Sequence, residues 1–195
     1  MNPLDNLEKY HIILASNSPR RRELLAGLGI GFEVKTLEGI DESYPGDLDP
    51  DMISQYISQK KADAYRSLIS GNEMVITSDT IVLLDGKVYG KPVDEADACR
   101  MLGELSGRTH KVITGVCIST CERSSAFHVV TEVEFAPLSS DEIEYYVTHF
   151  KPLDKAGAYG IQEWIGSVAV RAINGSFYNV MGLPVQRLYA ELKSF

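Results

Sequence analysis

The chain has 195 residues, 44% hydrophobic and 24% charged, which is the composition of a folded globular protein and excludes a disordered one. That length suits a single domain over residues 1–195, large enough to bury a core without disulfides or metals to staple it. A formal charge of −8, from 27 acidic against 19 basic residues, argues against a nucleic-acid partner, which calls for a broad basic surface, but leaves room for a small anion held by a local cluster of cations. Cys99, Cys117 and Cys121 form no metal-ligand pattern and read as reduced thiols; a bridge across a hairpin between Cys117 and Cys121 has only their spacing in its favour. The opening Met1-Asn2-Pro3-Leu4-Asp5 has no basic region ahead of an apolar stretch, so no signal peptide is expected. No apolar run approaches the roughly 20 residues of a membrane span, and the expected location is the cytoplasm.

In chain order, Ile12-Ile13-Leu14 reads as a buried strand feeding a helix, with Ser18 as N-cap and Pro19 at the first helical position. Leu24, Leu25 and Leu28 give that helix one apolar face, and Gly29 suits its end. A second strand is predicted over Phe32 to Thr36. Asp49-Pro50 opens another helix, with Ile53, Ile57, Ala64 and Leu68 at helical spacing. Val75 to Leu84 has a strand pattern interrupted by one carboxylate, Asp79. Asp85-Gly86 is a hairpin signal, with Lys87 to Tyr89 returning as its partner. Asp94 caps a helix to Leu105, which Gly107 ends. Lys111 to Thr120 and Ala126 to Phe135 read as two long antiparallel strands. Ser139 and Glu142 form a capping box opening a helix through Tyr146. Gly157 to Gly160 is a glycine-bearing loop, Ser167 to Ile173 a strand, and Pro184 begins the last helix. The uneven alternation predicts an α/β protein with a mixed sheet.

Arg20, Arg21 and Arg22 stand in the first turn of the first helix, where the helix dipole disfavours cations by about 0.3–1 kcal/mol each. Free backbone N–H groups at the same end favour anions, so a phosphate clamp with bidentate guanidinium contacts is one reading. A solvated basic turn paired with Glu23 or other acids is the other, and the sequence alone weighs them evenly. Asp79 inside an apolar strand is costly unless it is paired, hydrogen-bonded or metal-bound. The plain alternative ends the strand at Thr77, with Ser78 and Thr80 satisfying the carboxylate locally. Asp41 and Glu42, on a loop, could join Asp79 to hold Mg²⁺ or Mn²⁺. Lys91, in Gly90-Lys91-Pro92, follows the hairpin, and Lys61 lies beside Lys60 on the second helix; each taken singly is an ordinary surface lysine. Gln162, after the glycine loop, carries a paired donor and acceptor suited to a base edge. No P-loop, serine-hydrolase elbow or metal-spaced histidine set is present.

Together these segments resemble the Maf family of nucleotide pyrophosphatases. The resemblance is carried by Leu14-Ala15-Ser16-Asn17-Ser18-Pro19-Arg20-Arg21, Ile40-Asp41-Glu42, Lys61-Ala62, Ser78-Asp79-Thr80-Ile81-Val82, Gly90-Lys91-Pro92 and Leu105-Ser106-Gly107-Arg108-Thr109-His110. Leu153-Asp154-Lys155-Ala156-Gly157-Ala158-Tyr159-Gly160-Ile161-Gln162, Asn174-Gly175-Ser176 and Gly182-Leu183-Pro184 complete an ordered set over nearly the whole chain. It implies a Maf/ITPase-like fold: an elongated mixed sheet flanked by helices, with two lobes around a central cleft. It implies divalent-metal-dependent cleavage of a nucleoside triphosphate between its α- and β-phosphates, with Mg²⁺ or Mn²⁺ as cofactor, and a homodimer. Asp79 matches the general base. Ser16, Arg21, Glu42, Lys61 and Lys91 match positions that hold phosphates or metal, Glu42 and Asp79 being the metal pair. Arg20, Thr80 and Gln162 match positions of base choice, with identities like the dTTP and UTP branch. The competing reading is a nucleotide-sensing regulatory protein, linked to cell division, that binds without hydrolysing.

Overall fold

A computed structural model describes residues 3–195; Met1 and Asn2, part of the N-terminal stretch read above for a leader, lie outside the described residues. Strand β1 (His11–Leu14) leads into helix α1 (Pro19–Ala26), then β2 (Glu33–Val34), α2 (Ile53–Tyr65), β3 (Glu73–Leu84) and β4 (Lys87–Tyr89). Helix α3 (Glu95–Leu105) is followed by the long strands β5 (Thr109–Ser119) and β6 (Ser124–Phe135) and by α4 (Ser140–Phe150). The chain ends with α5 (Trp164–Ala169), β7 (Val170–Asn174), α6 (Phe177–Val180) and α7 (Val185–Leu192). The strands form a seven-stranded sheet in the order β2-β1-β3-β5-β6-β7, with β4 paired to β3. Parallel β1–β2 and β1–β3 pairs and antiparallel β3–β4 and β6–β7 pairs make it mixed, as the sequence predicts. No helix among the described residues is long and apolar enough to cross a membrane.

The chain divides into two compact units, and the divisions fall inside β3, β5 and β6. Among the described residues, the first comprises the stretch up to Asp79 together with 114–129 and 182–195. In it β1, apolar at Ile12, Ile13 and Leu14, lies between β2 and the start of β3, and all three side chains are buried. Helix α2 is seated by two contacts. Gly115 on β5 has no room for a side chain, since a Cβ there would stand 2.2 Å from the Ser54 carbonyl oxygen. One turn on, the Thr77 hydroxyl donates to the Ser58 carbonyl at 2.7 Å. The face α2 buries runs through Ile53, Ile57, Ala62 and Tyr65, with Ile69 beyond its end. Ala64 and Leu68, assigned to that face from spacing, are exposed instead: Ala64 lies within the helix, on the side away from the buried Ala62 and Tyr65, and Leu68 lies past the helix end. The tyrosine hydroxyl fixes the loop opposite, donating to the Lys35 carbonyl at 2.8 Å and accepting the Leu37 N–H at 2.9 Å.

The second unit comprises residues 80–113 and 130–181. Its core gathers Leu102 and Leu105 from α3, Val133 and Phe135 from β6, Tyr146 and Val147 from α4, and Ala158, Tyr159 and Ile161 from the segment before α5. The capping devices read from sequence form here as predicted. The Asp94 side chain accepts from the Asp97 N–H, and Ser139 with Glu142 makes a reciprocal capping box. Two predictions are corrected. The strand expected over Ser167 to Ile173 begins only at Val170, because Trp164–Ala169 coils into α5. The strand expected over Phe32 to Thr36 shrinks to Glu33–Val34, since β1 extends alongside it only at Ile13 and Leu14.

Candidate functional site

The strand that carries Asp79 does not end at Thr77; it continues unbroken to Leu84, so the carboxylate sits in mid-strand and needs partners. It has one from α2. Because Ser58 is tied to Thr77, the residue one helical turn later, Lys61, comes level with the residue two places along the strand. The Lys61 ammonium reaches Asp79 Oδ1 at 2.8 Å and Glu42 Oε1 at 3.1 Å, and its side chain is only 15% exposed. One partly buried cation thus draws together two carboxylates 37 residues apart in the chain. Asp41 does not join them. Its carboxylate accepts from the Ser43 N–H at 2.9 Å and hydroxyl at 2.7 Å and pairs with Lys60 at 2.8 Å. Those bonds, Lys60's foremost, hold the Asp41 carboxyl well below the usual carboxylate range. Adjacent lysines on α2 therefore serve adjacent acids on the loop, and only Glu42 is brought to Asp79.

At the start of α1 the Ser18 side chain accepts the Arg21 N–H, with Pro19 in the first turn. Ser16, nearly buried, accepts the Ser18 N–H at 3.2 Å. Arg20 is half-buried beside Arg21. Arg21 itself donates through Nε to the Gly182 carbonyl and through Nη1 to the Ser78 carbonyl, both at 2.8 Å. The Ser78 hydroxyl reaches the same Gly182 carbonyl at 3.2 Å. Two of the guanidinium's donors are thus committed to backbone, and one of them fixes the peptide that leads into Asp79. Burial pulls the Arg21 pKa below arginine's ordinary value, with Asp79 pulling it the other way. Nothing in the sequence pointed to Ser78 or Gly182 as partners of Arg21, since Gly182 lies 161 residues away.

Thr80, Lys91 and Gln162 belong to the second unit. Thr80 follows Asp79 directly in β3 and is half-buried. Lys91 is exposed just past β4, and the neighbouring Gly90 carbonyl accepts the Gly157 N–H at 3.0 Å, which ties the lysine's loop to the glycine-bearing segment. Gly157 adopts a φ of 67° and lies against Val82, where a Cβ would come within 2.8 Å of a methyl group, so both its backbone and its packing demand glycine. Gln162 is exposed on a turn whose neighbours Gly160 and Ile161 are buried. The sequence reading missed the side chains that hold this turn, Tyr146 and Glu163; Lys155 was present in the motif without an assigned task.

A metal implied by the resemblance can be weighed against these donors. Glu42 and Asp79 converge on one ammonium and offer only carboxylate oxygens, the donor type that Mg²⁺ and Mn²⁺ prefer. Among the described residues no group of three or more His, Cys, Asp or Glu that could hold a metal ion is gathered.

Known proteins similar to this chain are matched along almost its whole length. A dTTP/UTP pyrophosphatase of Phocaeicola vulgatus is 63% identical over 190 residues, covering 97% of this chain and 98% of that protein. Proteins of the same name from Bacteroides thetaiotaomicron and Porphyromonas gingivalis are 58% and 55% identical, over 97% and 98% of this chain and 98% of each relative. Among solved structures, a HAM1 protein from Coxiella burnetii is similar at 15% identity and a TM-score of 0.44, over 95% of this chain and 100% of that one, a likeness too slight to bear on activity. The model of the Maf-like protein family matches residues 11–195, and with it the chain belongs to the Maf family.

Proposed function

We propose that this chain is a nucleoside triphosphate pyrophosphatase that hydrolyses dTTP and UTP to the monophosphate and pyrophosphate. The observation that carries the chemistry is the Lys61 bridge between Glu42 and Asp79, built by the seating of α2 on β3. The substrate class follows from relatives named for it at 55–63% identity along almost the full chain. Lys61 takes one oxygen of the Asp79 carboxylate; the carboxylate orients a water and accepts its proton as the oxygen attacks the α-phosphorus. Arg21 keeps the Asp79 peptide in place, and its charge, with those of Lys61 and Lys91 and the Ser16 hydroxyl, favours the phosphates and the departing pyrophosphate. Arg20, Thr80 and Gln162 select the base, the glutamine amide matching a pyrimidine edge and leaving a purine with unpaired polar groups.

Glu42 and Asp79 would hold the Mg²⁺ or Mn²⁺ that accompanies the nucleotide. Bound there, the cation would offset charge on the phosphate oxygens and ease deprotonation of water. A homodimer and a cytoplasmic location belong to the same proposal.

Asp79→Asn tests the chemistry. Asparagine keeps the size and can still accept from Lys61, so UTP binding by calorimetry should survive while turnover falls by about 10²–10⁴-fold. Turnover at the wild-type rate would remove Asp79 from this role. Loss of binding with it would make the residue a ligand anchor instead.

A further inference from the structure

The segment that bears Gln162 is held far more tightly than an exposed turn requires. Tyr146, fully buried on α4, uses its hydroxyl in both directions, accepting the Gly160 N–H at 3.1 Å and donating to Glu163 Oε2. The other oxygen of Glu163 pairs with the Lys155 ammonium at 3.1 Å, and Lys155, whose side chain is 8% exposed, pairs also with Asp154 at 2.7 Å. The turn closes through its own backbone as well: the Glu163 N–H donates to the Gly160 carbonyl and the Gly166 N–H to the Glu163 carbonyl, both at 3.0 Å. Neither glycine can be replaced without movement. A Cβ on Gly160 would stand 3.0 Å from Lys155 Cε and from the Glu163 carboxyl carbon, and one on Gly166 would stand 1.7 Å from the Ile161 carbonyl oxygen.

A half-buried ion pair linked to a buried tyrosine is a poor device for stability, because desolvation offsets most of the attraction and an apolar filling of the same shape would serve as well. Its use is to select one conformation. Here the conformation belongs to four consecutive residues, Gly160 to Glu163, and the one side chain among them that is exposed is Gln162. An unbraced glutamine must lose both backbone and rotamer freedom on meeting a ligand; a braced one has already lost the first.

We propose that Tyr146, Glu163 and Lys155 are positioning residues that fix the Gly160–Glu163 turn and thereby aim the Gln162 amide, so that base selectivity depends on a network that need not touch the nucleotide. The proposal rests on the reading of Gln162 as the base-selecting residue, and the test separates the two. Steady-state kinetics with UTP and GTP are measured for the wild type, Tyr146→Phe, Glu163→Gln, Gln162→Ala and the Tyr146→Phe/Gln162→Ala double variant, with melting temperatures alongside. Tyr146→Phe keeps the ring and removes only the hydroxyl. It should raise KM for UTP about tenfold, leave kcat within about twofold, and cut the preference for UTP over GTP by about the same tenfold. Glu163→Gln, which keeps an acceptor for the tyrosine but loses the charge facing Lys155, should move the same way by a smaller factor and serves if Tyr146→Phe does not fold. The double variant should be no less selective than Gln162→Ala alone.

If Gln162→Ala collapses the preference while Tyr146→Phe and Glu163→Gln retain it, the positioning role is refuted and the reading of Gln162 stands. If Gln162→Ala itself keeps the wild-type preference, that reading falls and the proposal with it. An equal loss of kcat for both nucleotides in Tyr146→Phe, with KM unchanged, would make the network a structural brace only and would also overturn the proposal.

Discussion

Gly115 on β5 lies against the first turn of α2, and a Cβ added there would stand 2.2 Å from the Ser54 carbonyl oxygen and 2.3 Å from the Gln55 nitrogen. Both obstacles are backbone, so no side chain can swing aside, and ordinary contact at 3.4 Å or more requires the helix to withdraw by roughly 1 Å. Overpacking of this kind costs about 1–3 kcal/mol, and backbone obstruction puts Gly115→Ala at the upper end. For a chain of this length that lowers the melting temperature by about 6–12 °C. The same withdrawal reaches the site, because Lys61 lies about two turns along α2 and holds Asp79 at 2.8 Å. A misplacement near 1 Å can cost about 100-fold in rate, so turnover of UTP by the folded variant should fall by about that factor. Thermal unfolding followed by circular dichroism, with initial rates measured well below the transition, checks both. An unchanged melting temperature would refute the packing argument. A lowered one with wild-type turnover would break the link between the seat of α2 and the chemistry.

Gly103 supplies the converse: a Cβ there, within α3, meets nothing within 4 Å, so Gly103→Ala should stabilise by about 0.5–1 kcal/mol in urea unfolding and leave activity alone. His110 shares a hydrogen bond with the Tyr159 hydroxyl at 2.7 Å and is 2% exposed; burial brings its pKa down from 6.5 to about 4. The unfolded chain therefore binds this proton first, and the stability His110 brings is present in full above pH 6.5 and lost as pH falls toward about 4, up to about 3 kcal/mol. Comparing wild type with His110→Gln across that range should remove this part of the slope, and equal slopes would refute it. Arg21→Lys keeps the charge but cannot bridge the Ser78 and Gly182 carbonyls together, so it should lose about 1–2 kcal/mol of stability and more than tenfold in kcat/KM. Wild-type kcat/KM in that variant would mean that charge alone suffices.

What could be read from the sequence is what is decided within a few residues. Ser18 with Pro19, Asp94, and Ser139 with Glu142 are caps whose partners lie within one turn, and each forms as read. The order of strands and helices followed from such signals and from apolar patterning. The misreadings arise where distant packing decides. Ser167 to Ala169 pattern like a strand, yet Gly166 packs on the Ile161 carbonyl and the segment coils. The apolar face of α2 shifts to Ala62 and Tyr65 because the tyrosine hydroxyl is anchored to Lys35 and Leu37. At the site, Asp79 stood out as a carboxylate within an apolar strand, but its pairing with Lys61 depends on the Ser58–Thr77 contact. Asp41 and Glu42 looked equivalent until Lys60 and Ser43 claimed the first. The carbonyl partners of Arg21 have no local signal at all.

The most direct test of α-phosphorus hydrolysis is to turn over UTP and dTTP in oxygen-18 water with Mg²⁺ and locate the label by mass spectrometry. Attack by a water that Asp79 orients at the α-phosphorus predicts one labelled oxygen in the monophosphate and unlabelled pyrophosphate. Label in the pyrophosphate would place the attack on the β-phosphorus, and release of orthophosphate with a nucleoside diphosphate would contradict the reaction itself.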